Sequence, residues 1–251
     1  MAGMPIRGVL FDVDGTLYDY ETAEEAGLRA HLAAERLADR FASPAEALRV
    51  WREVREREYA RFLDGELTIE AQKAARIRAF LDRAGVPDAP GWTDGAALAW
   101  FASYAVRRDA GRRAFGDALP TLTALAARFR LGVVSNSATA HQRAKLTAIG
   151  LLGPLAEPLV CSQEHGAAKP AASIFLAGCA VLGLAPAEVA YVGDDYEKDA
   201  LGARDAGLRA YWLDRPGAGR PAGAAVDAGI RVVASLTELT ELTELTEPAA
   251  R

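Results

Sequence analysis

A rhythm of short apolar runs constrains the fold of this chain more than any other feature. Five of them, at residues 8–11, 131–135, 159–161, 189–193 and 210–213, are rich in Val, Leu or aromatic residues and are bounded by turn or charged residues. A sixth, at 230–234, lies near the C-terminus. Runs that are apolar throughout read as strands buried on both faces, the pattern of a parallel sheet covered by helices. Helical patterns at 120–128, 138–149, 171–182 and 197–206 separate the later runs, and the last three stop at Gly150, Gly183 and Gly207. Glycine ends a helix there because it adopts left-handed φ at little cost. Alternating strand and helix require right-handed crossovers, so the expected fold class is α/β, a doubly wound (Rossmann-like) parallel sheet with helices on both faces.

The first run breaks this rhythm. From Tyr18 to Arg113 no strand pattern follows it; four amphipathic helical stretches stand there instead, at 21–41, 44–63, 68–84 and 93–108. Ser43-Pro44 and the Gly/Pro pairs at 85–87 and 90–91 punctuate them. A crossover within a sheet needs only about a dozen residues. The economical expectation is an all-helical domain, 19–113, inserted into a core made of 1–18 and 114–251. The tail at 235–247 repeats Leu-Thr-Glu four times. Ser235 with Glu238 forms a capping-box sequence, which favours a docked terminal helix.

Composition excludes several roles. The 251 residues are 51% hydrophobic, enough for a large core with a smaller inserted domain. A net charge of −5 supplies no basic field for nucleic acid or an anionic membrane. No run is apolar for a full membrane crossing, residues 1–7 carry no leader pattern, and two cysteines are too few for a disulfide framework. A cytoplasmic enzyme is the default. Of 29 basic residues only Lys73, Lys145, Lys169 and Lys198 are lysine, so each lysine that persists against the arginine bias draws some interest.

The chemistry gathers at strand ends. The first strand ends in Phe11-Asp12-Val13-Asp14-Gly15-Thr16. Ligands bind beyond the C-terminal ends of strands in open parallel sheets. Asp12 and Asp14 would start on one side of the strand, and burying two carboxylates together is costly unless a cation neutralises them. Gly15 lets the chain turn away. A second acidic cluster, Gly193-Asp194-Asp195-Tyr196-Glu197-Lys198-Asp199, follows the fourth run and enters a helix. Hard oxygen ligands in such numbers suit Mg²⁺, although Asp195 or Asp199 alone could cap the helix. Ser135-Asn136 after the second run can donate to a phosphoryl oxygen, and Lys169, before Pro170, can neutralise charge between phosphate and carboxylate.

In this order, Asp12-x-Asp14-Gly15-Thr16, Ser135, Lys169-Pro170 and Gly193-Asp194-Asp195-x-x-x-Asp199 resemble the four motifs of the haloacid dehalogenase-like hydrolase superfamily. The helical insertion is similar to the subgroup whose cap follows the first motif. The resemblance spans roughly residues 6–234; the ordered set is specific, while each motif alone is weak. It implies Asp12 as a nucleophile forming an aspartyl-phosphate, with Asp14 as acid and base. It implies Mg²⁺ held by the Asp12 and Asp194 carboxylates and the Asp14 main-chain carbonyl, with Asp195 and Asp199 supporting it. Thr16, Ser135, Asn136 and Lys169 would hold the substrate, a small phosphorylated metabolite. Dehalogenases of the superfamily lack the second aspartate of the first motif, because halide leaves without a proton; Asp14 points to phosphate. Sugar-phosphate mutases carry a histidine about ten residues beyond that aspartate, where this chain has Glu24, with His31 the nearest histidine. Phosphonate hydrolysis would need an early lysine, and Lys73 lies well downstream. Lys198 replaces the asparagine that many relatives have before the last aspartate. A non-catalytic binding protein on this fold is the alternative from another class. In the insertion, Arg52, Arg55, Arg57 and Arg61 either face a substrate or form a solvated helix face.

Overall fold

A computed structural model describes residues 4–155, 157, 159–215, 227 and 229–241. In chain order it contains β1 (Gly8–Phe11), α1 (Tyr20–Ala34), α2 (Pro44–Leu63), α3 (Ile69–Arg83), α4 (Asp94–Ala110), α5 (Ala118–Ala126), β2 (Arg130–Ser135), α6 (Thr139–Ala148) and β3 (Val160–Cys161). There follow α7 (Ser162–His165), α8 (Ala172–Leu182), β4 (Val189–Gly193), a π-helical turn (Tyr196–Leu201) that runs into α9 (Gly202–Asp205), β5 (Arg209–Leu213) and β6 (Ile230–Val233). All six expected strands are present.

They form one sheet in the order β3-β2-β1-β4-β5-β6, parallel throughout. Phe11 aligns with Val133 on one side and Val192 on the other, so the residues after β1, β2 and β4 emerge at the same edge. The strand order reverses direction between β1 and β4, and a doubly wound sheet opens a ligand crevice at such a switch point. On one face Leu10, Val134, Tyr191 and Ala210 pack against Ile174, Phe175, Cys179 and Leu182 of α8 and Ala203 of α9. Full burial of a side chain the size of Leu10, Val134, Ile174 or Phe175 contributes about 1.5–3 kcal/mol.

By its contacts the chain divides into two compact units, residues 1–19 with 113–251, and residues 20–112. The second is α1–α4 around an aromatic cluster. Trp51 meets Phe80 at 5.0 Å and Tyr104 at 4.6 Å between ring centroids, both edge-on, the geometry their quadrupoles favour. Ser43, Thr68 and Thr93 accept hydrogen bonds from the amides of Glu46, Ala71 and Ala96, which fixes the starts of α2, α3 and α4. The stretch expected as one helix over 21–41 breaks after Ala34. Arg36 takes a left-handed φ of 56° and a separate 3₁₀ turn covers Ala38–Arg40.

The expected tail helix is corrected as well. Leu236–Thr240 forms a 3₁₀ turn, and residues 242–247 of the repeat lie outside the described residues. The Ser235 hydroxyl makes no capping bond, and Glu238 accepts instead from the Ala234 amide at 3.0 Å. A period of three matches the three residues per turn of a 3₁₀ helix, which places Leu236 and Leu239 on one side, where both are buried. Among the described residues no helix is long and apolar enough to cross a membrane.

The helical unit also buries charge. Glu24, on α1 and 0% exposed, accepts from Trp51 Nε1 at 3.0 Å and from Arg55 at 2.7 and 2.8 Å. Arg52 and Arg76 approach it at 3.4 and 3.5 Å, and the Arg76 guanidinium stacks 3.9 Å from the Trp51 ring centroid. Arg57 and Arg61 pair with Glu58, another buried carboxylate. Arg52, Arg55, Arg57 and Arg61, with Arg76, therefore satisfy acids of their own unit. Removing one partner of a buried pair leaves the other charge uncompensated. Glu24→Leu is expected to destabilise the protein by roughly 3 kcal/mol in denaturant unfolding, and Glu24→Gln by less; equal stability of Glu24→Leu and the parent would refute a structural role for the cluster.

Candidate active site

Two glycines let the acidic motifs converge. After Asp12 the chain closes a tight loop in which the Tyr18 amide donates to the Val13 carbonyl at 2.8 Å and the Gly15 amide to the Tyr18 carbonyl at 2.9 Å. Gly15 has φ +88°, and a Cβ there would lie 2.2 Å from Asp194 Oδ2. A Cβ on Gly193 would lie 2.4 Å from the Asp199 carboxylate. The two positions are closed to any side chain, because the carboxylates fill the space.

Lys169 ties the strand ends together. Its ammonium, 4% exposed, donates to Asp12 Oδ1 and Asp199 Oδ1, each at 2.6 Å, and to the Tyr191 hydroxyl at 3.0 Å. Tyr191 in turn donates to Asp199 Oδ1 at 2.9 Å. Burial opposes the charge on Lys169, yet Asp12 and Asp199 hold its pKa well above the usual lysine value. The Lys169–Pro170 peptide bond is cis. Asn136 clasps the lysine main chain: its Nδ2 donates to the Lys169 carbonyl at 3.0 Å and its Oδ1 accepts from the Lys169 amide at 2.7 Å.

Oxygens of Asp12, Asp194 and Asp199 lie within 4.8 Å of one another. Burial, more than any neighbour, pushes the Asp12 carboxyl up to about 7; Lys169 pulls it down while Asp199 and Asp14 push it further up. Asp194 keeps surface open to solvent, but protein crowds its carboxyl closely enough that desolvation, then Asp12 and Asp199, raise it well above the ordinary range. Three carboxylates share one ammonium, so an all-oxygen set with surplus negative charge and one member open to solvent fits a hard divalent cation. Thr16, fully buried, donates its hydroxyl to Asp194 Oδ1 at 3.2 Å, and Trp212 Nε1 donates to the Asp194 carbonyl at 2.9 Å.

Asp195 and the Asp14 side chain stand apart from this cluster. Asp195 caps the π-helical turn, accepting from the Lys198 amide at 2.9 Å and pairing with its ammonium. Both Asp199 oxygens are engaged, Oδ1 as above and Oδ2 by the Asp195 amide at 3.1 Å. The Asp14 carboxylate turns toward α6, where Lys145 pairs with Oδ1 and Gln142 Nε2 donates to Oδ2 at 2.8 Å. Burial raises the Asp14 carboxyl, but Lys145 and Gln142 outweigh it and hold it below the usual range. The same Gln142 nitrogen donates to Ser135 Oγ at 2.8 Å.

Lys145, Gln142, Tyr191 and Trp212 were not among the expected site residues. Two had a readable signal. Lys145 is one of only four lysines, and a tyrosine inside a fully buried strand must find a partner for its hydroxyl. The histidines contribute little: His31 is fully buried beside Trp100 and held at about 4 by burial and Arg107, so it is neutral, and His165 lies 3.1 Å from the Ser173 hydroxyl.

Over residues 6–207 the chain matches the model of a haloacid dehalogenase-like hydrolase. It is 33% identical over 208 residues to the glyceraldehyde 3-phosphate phosphatase of Methanopyrus kandleri, covering 81% of this chain and 82% of that one. It is 31% identical over 210 residues to the ribulose-1,5-bisphosphate 5-phosphatase of Halopiger xanaduensis, covering 82% and 84%. Among solved structures, the putative HAD-hydrolase YfnB from Bacillus subtilis, bound to magnesium, shares the fold with a TM-score of 0.75 at 22% identity, over 95% of this chain and 98% of that one. The chain belongs to the haloacid dehalogenase-like hydrolase family.

The raised Asp12 carboxyl sets a pH dependence of stability. Between 3.8 and about 7 the folded, metal-free chain keeps a proton that the unfolded chain has released. Stability therefore falls as pH climbs through this window. Thermal melts should show a decline that is flattened in Asp12→Asn; parallel slopes in the two proteins would contradict it. Because a cation competes with that proton, added Mg²⁺ should raise the melting temperature more at about pH 7.5 than at about pH 5.

Proposed function

We propose that the protein is a Mg²⁺-dependent phosphatase that hydrolyses a small phosphate monoester through an aspartyl-phosphate on Asp12. The observation that carries this reading is Asp14, a second carboxylate two residues beyond Asp12 with its side chain 35% exposed. A halide leaves without a proton, whereas an ester oxygen needs one. Two relatives that match four-fifths of the chain are named as phosphatases of sugar or triose phosphates, which favours a substrate of that class.

In the first step an Asp12 oxygen bonds to phosphorus, the ester P–O bond breaks, and the leaving oxygen takes its electron pair and a proton from Asp14. In the second, water attacks phosphorus, Asp14 takes the water proton, and the Asp12–phosphorus bond breaks. Asp14 is ionised in the free protein, and the negative charge of an arriving phosphate favours the protonated form that the first step needs. Lys169 and the Ser135 hydroxyl counter charge on the phosphoryl oxygens. Asn136 fixes the main chain that presents Lys169, and Thr16 orients Asp194. The Asp12 and Asp194 carboxylates with the Asp14 main-chain carbonyl would hold the metal, with Asp199, whose oxygen lies in the same cluster, and Asp195 supporting it. Bound Mg²⁺ neutralises charge developing on the phosphoryl group. The helical unit, residues 20–112, is read as the cap domain of this family. Glu24 argues against a mutase, since the position where mutases carry histidine is a carboxylate whose two oxygens are both held by arginine.

Purified protein with Mg²⁺ should release phosphate from 4-nitrophenyl phosphate and stop when chelator is added. Asp12→Asn should lower kcat by about a thousandfold or more. Undiminished activity in Asp12→Asn would refute the nucleophile, and isomerisation of a sugar 1-phosphate without phosphate release would favour the mutase.

A further inference from the structure

We propose that Lys145 and Gln142 are positioning residues that clamp the Asp14 carboxylate and aim the Ser135 hydroxyl, a role that rests on the phosphatase reading. The two side chains stand three residues apart on α6 and so share one face of that helix. Gln142 is 0% and Lys145 4% exposed. A lysine so deeply buried is costly unless a counter-charge meets it. Its carboxylate partner is Asp14, and its ammonium lies 4.9 Å from the Tyr18 ring centroid. Arginine far outnumbers lysine in this chain, so the lysine at this position points to a need for a compact point charge.

The clamp takes one oxygen with each arm. Lys145 holds Oδ1 and Gln142 Nε2 holds Oδ2, so the plane of the carboxylate is set from a single rigid helix. Every carboxylate oxygen has a second lone pair, which leaves room for the proton that Asp14 gives and takes. Gln142 cannot be turned round, because its carbonyl would then oppose the carboxylate. In the observed orientation Gln142 Oε1 is buried and finds no partner among the described residues. The bonds from Nε2 to Asp14 and Ser135 are thus held at the cost of an unpartnered buried carbonyl. Since Ser135 Oγ accepts from Gln142, its own hydrogen is free to point elsewhere, toward a phosphoryl oxygen.

Loosening Asp14 should impair the steps that move its proton and spare the attack by Asp12. A leaving group that needs no proton separates the two. In Lys145→Met and Gln142→Leu, kcat for an alkyl phosphate such as glycerol phosphate should drop about a hundredfold with little change in KM. With 2,4-dinitrophenyl phosphate the same variants should give a burst of one equivalent of dinitrophenolate at the parental rate, then slow turnover as the aspartyl-phosphate waits for its water. Lys145→Arg should recover part of the alkyl-phosphate rate. Gln142→Leu removes the unpartnered carbonyl and should melt no lower than the parent, which keeps its kinetics interpretable should Lys145→Met fail to fold. Equal losses on both esters without a burst, or unchanged kcat on both, would overturn the clamp while leaving the phosphatase intact. A parent protein inactive on every ester would instead overturn the phosphatase reading and the clamp with it.

Discussion

The buried ammonium of Lys169 is the interaction on which the rest of the site depends. It meets Asp12 from β1 and Asp199 from the turn after β4 at the same 2.6 Å, while Asn136, beyond β2, grips its main chain. Three strand ends are therefore joined through one side chain. An isolated lysine in this position would lose its charge, and the acids without it would repel each other or take up protons. The charge stands because each party neutralises another, and Tyr191 supplies the remaining hydrogen bond.

Two aspartates separated by one residue acquire opposite character from this arrangement. Asp12 is buried among acids and resists ionisation, whereas Asp14 turns toward Lys145 and Gln142 and ionises readily. Pairs of carboxyl groups with divergent environments are a common way of dividing nucleophile and proton-transfer duties. The division is enforced sterically as well, since Gly15 and Gly193 reserve the space that the carboxylates occupy.

The sheet was legible from sequence because its strands are apolar on both faces and each is short and sharply bounded. The acidic motifs were legible because they sit where such strands end. Helix termini were less so: the break after Ala34 depends on a left-handed arginine, and no glycine or proline announces it. The tail misled because a capping sequence outweighed its period of three, which the 3₁₀ turn obeys. At the site, Gln142 was invisible because a polar residue on an amphipathic helix ordinarily faces water. Its burial follows only from the approach of α6 to the loop after β1, a tertiary fact. Arg52 and Arg55 were ambiguous for a similar reason, resolved by the buried Glu24 that they meet.

The position of β1 in the sheet has a consequence for how the molecule comes into being. β1 precedes both of its sheet neighbours in the chain by a long way, since β2 starts at Arg130 and β4 at Val189. Asp12 is therefore synthesised well before Lys169 and Asp194. Residues 20–112 form a continuous, locally connected helical unit that can condense in that interval, since short-range contacts form early. The acidic cluster is completed only when β4 slots in beside β1, after the helical unit between them has been made.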